Sequence, residues 1–198
     1  MRIGIDFDNT IACYDGVFHR AALERSLIPE DLSSSKNAVR DFLNSSGKKD
    51  EFTLLQGFVY GSRMNLARPY DGVENFIERA CQKGYDLFVI SHKSRHPIMG
   101  PSYDMHAAAR EFLVTNELTG VDRIPTVNVY FELTKEEKIK RAEQLELDVF
   151  IDDLPEILRM EGFPNGCERI LFDPNNVHDD NPNWRRCQSW DVMREGLL

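Results

Sequence analysis

Met1–Cys13, MRIGIDFDNTIAC, is the stretch on which the reading of this chain turns. Arg2–Ile5 is short, apolar and β-branched, the pattern of a buried strand. It runs into two carboxylates one residue apart, Asp6 and Asp8, followed by Asn9 and Thr10. Side chains alternate along an extended chain, so residues 6 and 8 share a side. Two like charges at the end of a buried strand repel, and each is costly to desolvate unless a cation or a proton holds them together. An Asp- and Asn-rich turn at a strand end is the alternative without chemistry.

Working outward, the segment 12–68 is predicted to be mostly helical. Val17, Phe18, Ala21, Ala22 and Leu23 form one apolar face, and Val39, Phe42 and Leu43 another. Loops are expected at Pro29, at Ser33-Ser34-Ser35 and at Ser45–Asp50. From Pro69 the grammar changes to strands alternating with helices. Helices are predicted over 73–83, 105–114, 134–145 and 155–160, and strands over 86–91, 126–131, 149–152 and 169–172. The tail 175–190 is polar, rich in Asn, Asp and Pro, and is expected to be irregular. Such alternation predicts an α/β fold, a doubly wound parallel Rossmann-like sheet with a small α-helical insertion. The expected division is 1–11 and 69–198 for the sheet domain, with 12–68 as the insertion. Ligands of these sheets bind beyond the carboxyl ends of the strands, where Asp6, Asp8, Ser91, Asp152 and Asp153 fall.

A chain of 198 residues can bury a core without disulfides. Its 41% hydrophobic and 29% charged residues are ordinary globular composition. The net charge of −9 argues against a nucleic-acid polymer, whose binding rests on Lys and Arg neutralising phosphates. It leaves room for a small anion, since a divalent metal and a few local cations can invert the field in one pocket. Cys13, Cys81, Cys167 and Cys187 are scattered and form no CxxC pair, which suits a reducing compartment. No signal peptide and no membrane span are expected, so the predicted location is cytoplasmic.

The carboxylate pair at 6 and 8 calls for Mg²⁺, which prefers hard oxygen ligands and often takes one or two carboxylates plus a substrate phosphate. Asp152-Asp153 closes a second strand in the same way. Adjacent residues point to opposite faces, so one can meet a metal while the other turns to a supporting partner, and helix capping ahead of Pro155 is the alternative. Thr134-x-x-Glu137 is a capping box that starts a helix at Lys135. A lysine in the first turn of that helix opposes the helix dipole, which a catalytic role would explain. Lys135, Lys138, Lys140 and Arg141 are also consistent with a solvated face. Ser91 can donate to a phosphate oxygen or simply form a turn.

Asp-x-Asp-x-Thr after a hydrophobic strand, then Ser91, a lysine and Asp152-Asp153, resembles the haloacid dehalogenase-like (HAD) hydrolases over about residues 6 to 153. The resemblance implies a phosphatase with Asp6 as nucleophile, Asp8 as general acid and base, and Lys138 as the catalytic lysine, with Lys135 as the fallback. It implies Thr10 and Ser91 on the phosphate, and Mg²⁺ held by Asp6, the Asp8 carbonyl and Asp152, with Asp153 bridging or supporting. It makes 12–68 a cap that closes over the site and favours a small phosphorylated metabolite. His92 and Lys93 become candidates for a second anionic group of the substrate, with Arg95 and His96 beside them; a solvated basic loop is the alternative. The function expected is Mg²⁺-dependent hydrolysis of a small phosphate ester through an aspartyl-phosphate. A phosphotransferase of the same mechanism, or a non-catalytic metal- and phosphate-binding regulatory module, are the alternatives.

Overall fold

In chain order the elements of the sheet and its helices are β1 (Arg2–Ile5), α1 (Val17–Glu24), α2 (Lys36–Ser45), α3 (Lys49–Tyr60), α4 (Val73–Gln82), β2 (Asp86–His92), α5 (Met105–Thr115), β3 (Val129–Glu132), α6 (Lys135–Gln144), β4 (Val149–Asp152), α7 (Pro155–Leu158), β5 (Glu168–Phe172), β6 (Arg185–Cys187) and α8 (Trp190–Leu197). The computed structural model describes residues 1–198. The six strands form one parallel sheet in the order β3-β2-β1-β4-β5-β6. β1 lies at its centre, with Ile5 opposite Val89 of β2 on one side and Ile151 of β4 on the other. Strand order reverses at that point, and a doubly wound sheet opens its ligand crevice at the carboxyl ends flanking such a reversal.

The centre of the sheet is covered on both faces, which is why its strands read as apolar runs rather than alternating ones. Ile3, Ile5, Val89, Ile90, Phe150 and Ile151 are fully buried. Gly4 interrupts β1 because a Cβ there would lie 2.7 Å from Phe150 Cδ2 and collide with Leu147. The strand end is thus held in register by close packing on one face.

Two expectations differ from the structure. Residues 126–128 form a 3₁₀ turn, and the strand begins at Val129. Asn128 closes that turn onto the Pro125 carbonyl and sends its side-chain amide to the Leu87 carbonyl at 3.0 Å, so its hydrogen bonds do not extend the ladder. The polar tail is also more regular than expected. Arg185–Cys187 pairs with β5, Phe172 opposite Cys187, and α8 follows with Ser189 capping Val192. This edge strand carries two arginines and no apolar run, so periodicity does not reveal it; Arg185 pairs with Glu168 at 2.9 Å and Arg186 with Asp180 at 2.9 Å.

The chain divides into two compact units, Met1–Ala12 with Pro69–Lys93 and Leu113–Leu198, and Cys13–Arg68 with Ser94–Phe112. The first contains the sheet. The second contains α1, α2 and α3, whose buried faces carry Phe18 and Ala22, Val39 and Leu43, and Phe52, Leu55 and Val59. Tyr14, Phe18 and Tyr60 meet edge to face with centroids 5.1–6.2 Å apart. Segment 94–112, left with the sheet in the sequence reading, packs in this helical unit. Gly57 permits it, because a Cβ at that position would lie 2.6 Å from Pro97 Cβ. No helix is long and apolar enough to cross a membrane, and all four cysteines are free.

Candidate functional site

The site begins where β1 ends. Asp6 extends the ladder, its N–H donating to the Ile151 carbonyl at 2.9 Å. Phe7 follows and packs edge-on against Phe131, with centroids 5.7 Å apart. Asn9 takes the left-handed conformation (φ 58°), which Asn tolerates well, and the chain folds back with the Ile11 and Ala12 amides on the Phe7 carbonyl. Thr10 is fully buried inside this turn, and its hydroxyl has no partner within the chain. A buried hydroxyl without a partner is costly, which marks a place where a bound oxygen belongs.

Lys138 reaches the same place from α6. The capping box is present: Thr134 Oγ1 accepts from the Glu137 amide, and the Glu137 carboxylate accepts from the Thr134 amide, each at 3.1 Å. That start turns Lys138, Ile139 and Ala142 inward, and Lys138 is only 1% exposed. Its Nζ donates to Asp6 Oδ1 at 2.5 Å and to Asp152 Oδ2 at 2.6 Å. Lys135 instead pairs with Glu156 at the surface. Burial alone would lower the Lys138 pKa, but the carboxylates of Asp152 and Asp6 outweigh it and hold the ammonium above its ordinary range.

Asp152 ends β4 fully buried, with Oδ1 accepting from the Leu154 amide at 2.9 Å. Burial pushes its carboxyl up to about 6 despite Lys138. Asp153 is raised too, by burial and then by the charges of Asp152 and Asp6. Asp6, Asp152 and Asp153 bring ligand oxygens within 4.8 Å of one another. Burial and mutual repulsion disfavour charge on these carboxyls; fully ionised, three of them against one ammonium carry two negative charges, which a divalent cation neutralises. Hard oxygen donors of this kind fit Mg²⁺.

Ser91, at the end of β2, is buried opposite Phe131 in the register. His92 is the exposed next residue; burial of its ring, then the nearby Lys138 and Lys135, hold its pKa below the usual imidazole value. Lys93 is not a solvated loop lysine. It is 5% exposed, and its Nζ lies 2.9 and 2.8 Å from the two carboxylate oxygens of Asp8. Arg95 and His96 lie in the helical unit and are engaged locally, Arg95 with Asp104 at 3.1 Å and His96 Nδ1 with the Tyr103 carbonyl at 3.0 Å.

No family model and no curated protein matches this chain. Solved structures do. A haloacid dehalogenase-like family hydrolase from Streptococcus pneumoniae superposes with a TM-score of 0.64 at 15% identity, covering 98% of this chain and 97% of that one. A predicted phosphatase from Clostridium acetobutylicum gives 0.62 at 16% identity, with 99% and 97% covered. A magnesium-bound putative HAD hydrolase from Bacillus subtilis gives 0.55 at 12% identity, with 99% and 97% covered.

The fold is that of the HAD-superfamily hydrolases.

Along this HAD fold the selected residues fall at the ends of adjacent elements: Asp6 and Asp8 after β1, Ser91 at the end of β2, Lys138 in the first turns of α6, Asp152 closing β4. Asp6, Lys138 and Asp152 are joined directly, and Asp8 is joined to Lys93. Trp190 was not among the sequence candidates. Its indole Nε1 donates to the Thr10 carbonyl at 3.1 Å, and its ring packs on Phe76 and Phe172, which fixes the turn from the far end of the chain. An apolar indole in a polar tail, one of two there with Trp184, was the available signal.

Proposed function

We propose that the protein is a Mg²⁺-dependent phosphomonoester hydrolase acting on a small phosphorylated metabolite. The observation that carries this reading is Lys138, buried and bonded to both Asp6 and Asp152. Lys138 occupies Asp6 Oδ1, which leaves Oδ2 for attack on phosphorus. In the first step the Oδ2–P bond forms, the ester P–O bond breaks, and Asp8 gives its proton to the departing alkoxide. In the second step Asp8 takes a proton from water, whose oxygen attacks the phosphorus of the aspartyl-phosphate and frees phosphate and Asp6. Splitting one displacement in two in this way is covalent catalysis, with one group serving as acid and then base.

Asp6, the Asp8 carbonyl and Asp152 would hold the metal, with Asp153 beside them. When bound, Mg²⁺ supplies positive charge that shields the nucleophile from the substrate and steadies the phosphoryl oxygens. Thr10 and Ser91 would donate hydrogen bonds to those oxygens and Lys138 would neutralise them, and such preorganised donors carry most of the rate in phosphoryl transfer. His92, exposed beside Ser91, is assigned to the remainder of the substrate. The helical segment 12–68 is assigned the role of a cap that excludes water and selects small esters.

The test is phosphate release from a panel of alkyl and aryl phosphate esters, with Mg²⁺ and with EDTA, beside Asp6→Asn. Turnover that requires Mg²⁺ and is lost in Asp6→Asn supports the reading. Rates no higher than the Asp6→Asn control on every ester would sink it. Transfer of the phosphoryl group to an added alcohol in preference to water would make the enzyme a phosphotransferase instead.

A further inference from the structure

The two acidic residues after β1 each have their own lysine. Lys138 takes Asp6 into the cluster with Asp152, whereas Lys93 takes Asp8, and Asp8 contributes no side-chain oxygen to that cluster. The Lys93 side chain is 4% exposed and that of Asp8 20% exposed, so the pair is largely removed from solvent. A buried ammonium is tolerated when paired, and this one is bonded to both oxygens of one carboxylate and lies 5.5 Å over the Phe7 ring. Its root is fixed as well. The Lys93 amide donates to the Glu132 carbonyl at 2.8 Å, one step beyond the paired residues of β2 and β3.

We propose that Lys93 is a positioning residue for Asp8, holding its carboxylate at the leaving-group side and out of the metal-ligand cluster, rather than a ligand of the substrate's phosphate. This rests on the phosphatase reading above and names the device that separates the roles of two neighbouring aspartates. Placing paired carboxylates in different environments is how one site assigns different tasks to chemically identical groups. In the first step the electron pair of the breaking P–O bond goes to the ester oxygen and the proton on Asp8 follows it. Lys93 keeps its own proton throughout.

The prediction is a split between leaving groups. A nitrophenolate departs without a proton, whereas an alkoxide needs the one that Asp8 delivers. kcat/KM reports only the steps up to transfer onto Asp6, so the later, shared hydrolysis does not blur the comparison. The probes are p-nitrophenyl phosphate and the best alkyl phosphate of the panel. Lys93→Met is expected to lower kcat/KM on the alkyl ester by about 100-fold, the lower end of what general acid catalysis contributes, and on the aryl ester by less than about threefold. Asp8→Asn shows the same split, and adding Lys93→Met to it lowers the alkyl rate no further. Lys93→Arg recovers most of the alkyl-to-aryl ratio. Lys93→Gln, which keeps a donor without the charge, carries the same test if Lys93→Met does not fold. Equal losses on both esters would make Lys93 a phosphate ligand and overturn the proposal while leaving the phosphatase reading intact. A wild-type protein that hydrolyses neither ester would end both.

Discussion

Replacing Lys138 by Met tests the centre of the site without reference to any substrate. The side chain is about the right size for its slot, but the substitution removes the one cation bonded to Asp6 at 2.5 Å and to Asp152 at 2.6 Å. Three clustered carboxylates, two of them almost wholly buried, then face one another with no ammonium between them. Removing one partner of a buried ion pair costs about 3–5 kcal/mol, because the remaining charge is left desolvated. At about 2–4 °C per kcal/mol for a chain of this size, Tm in EDTA at pH 7.5 should fall by roughly 6–20 °C.

The pH dependence has a definite sign. Burial already raises Asp152 to about 6, and losing Lys138 raises it further because the ammonium's charge and hydrogen bond oppose that rise. A carboxyl whose folded pKa exceeds its unfolded one binds its proton more tightly when folded, so the stability it contributes is lost as pH rises through that window. The variant's deficit should therefore narrow as pH falls from 7.5 towards 5. Added Mg²⁺ should narrow it as well, by supplying charge to the same oxygens. Differential scanning calorimetry and urea melts across this pH range provide the assay. A Tm within about 2 °C of wild type in EDTA at pH 7.5 would mean that Lys138 does not hold these carboxylates, and the electrostatic argument would fall.

Three further outcomes follow from individual contacts. Thr10→Val removes a buried hydroxyl that has no partner in the chain, so Tm should hold or rise slightly; inhibition by inorganic phosphate should weaken about tenfold or more, the worth of a hydrogen bond to a charged group, and an unchanged Ki would remove Thr10 from the site. Gly57→Ala brings a Cβ to 2.6 Å from Pro97 Cβ and should destabilise the helical unit by about 1–3 kcal/mol, seen as faster proteolysis within 94–112; wild-type protection would show that the segment is not packed on α3. Burial raises the Cys167 thiol from 9.0 to about 12, which cuts its thiolate fraction at pH 8 by about a thousandfold, so iodoacetamide should label it in urea but not in the native protein; rapid native labelling at pH 8 would contradict the burial.

The sheet and its order of chemistry were legible because they depend on local pattern. β1, β2 and β4 are apolar runs ending in Asp6, Ser91 and Asp152, and a strand's end is where the sequence must change character. The capping box at Thr134 was equally local, since its two hydrogen bonds join residues three apart. β6 was missed because an edge strand needs no apolar run, and its arginines pair with Glu168 on the neighbouring strand and with Asp180 in the polar tail. The start of β3 was placed three residues early because a β-branched sequence cannot reveal that Asn128 spends its amide on Leu87.

Sequence by itself determined that the sheet is parallel and doubly wound, and it marked two acidic strand ends that need a cation or a proton and the lysines of the 134–145 helix as candidates. Tertiary structure alone decided which lysine serves which carboxylate. Lys135 and Lys138 differ by three positions on one helix, and only packing against the sheet sends Lys138 inward to Asp6 and Asp152 while Lys135 goes out to Glu156. Lys93 looked like one charge in a basic loop until the register of β2 and β3 placed it against Asp8. The Thr10 turn is held by Trp190, 180 residues away. The physical reason is range: periodicity and capping are set by neighbours along the chain, whereas the pairing of buried charges is set by desolvation, which only the closed fold imposes.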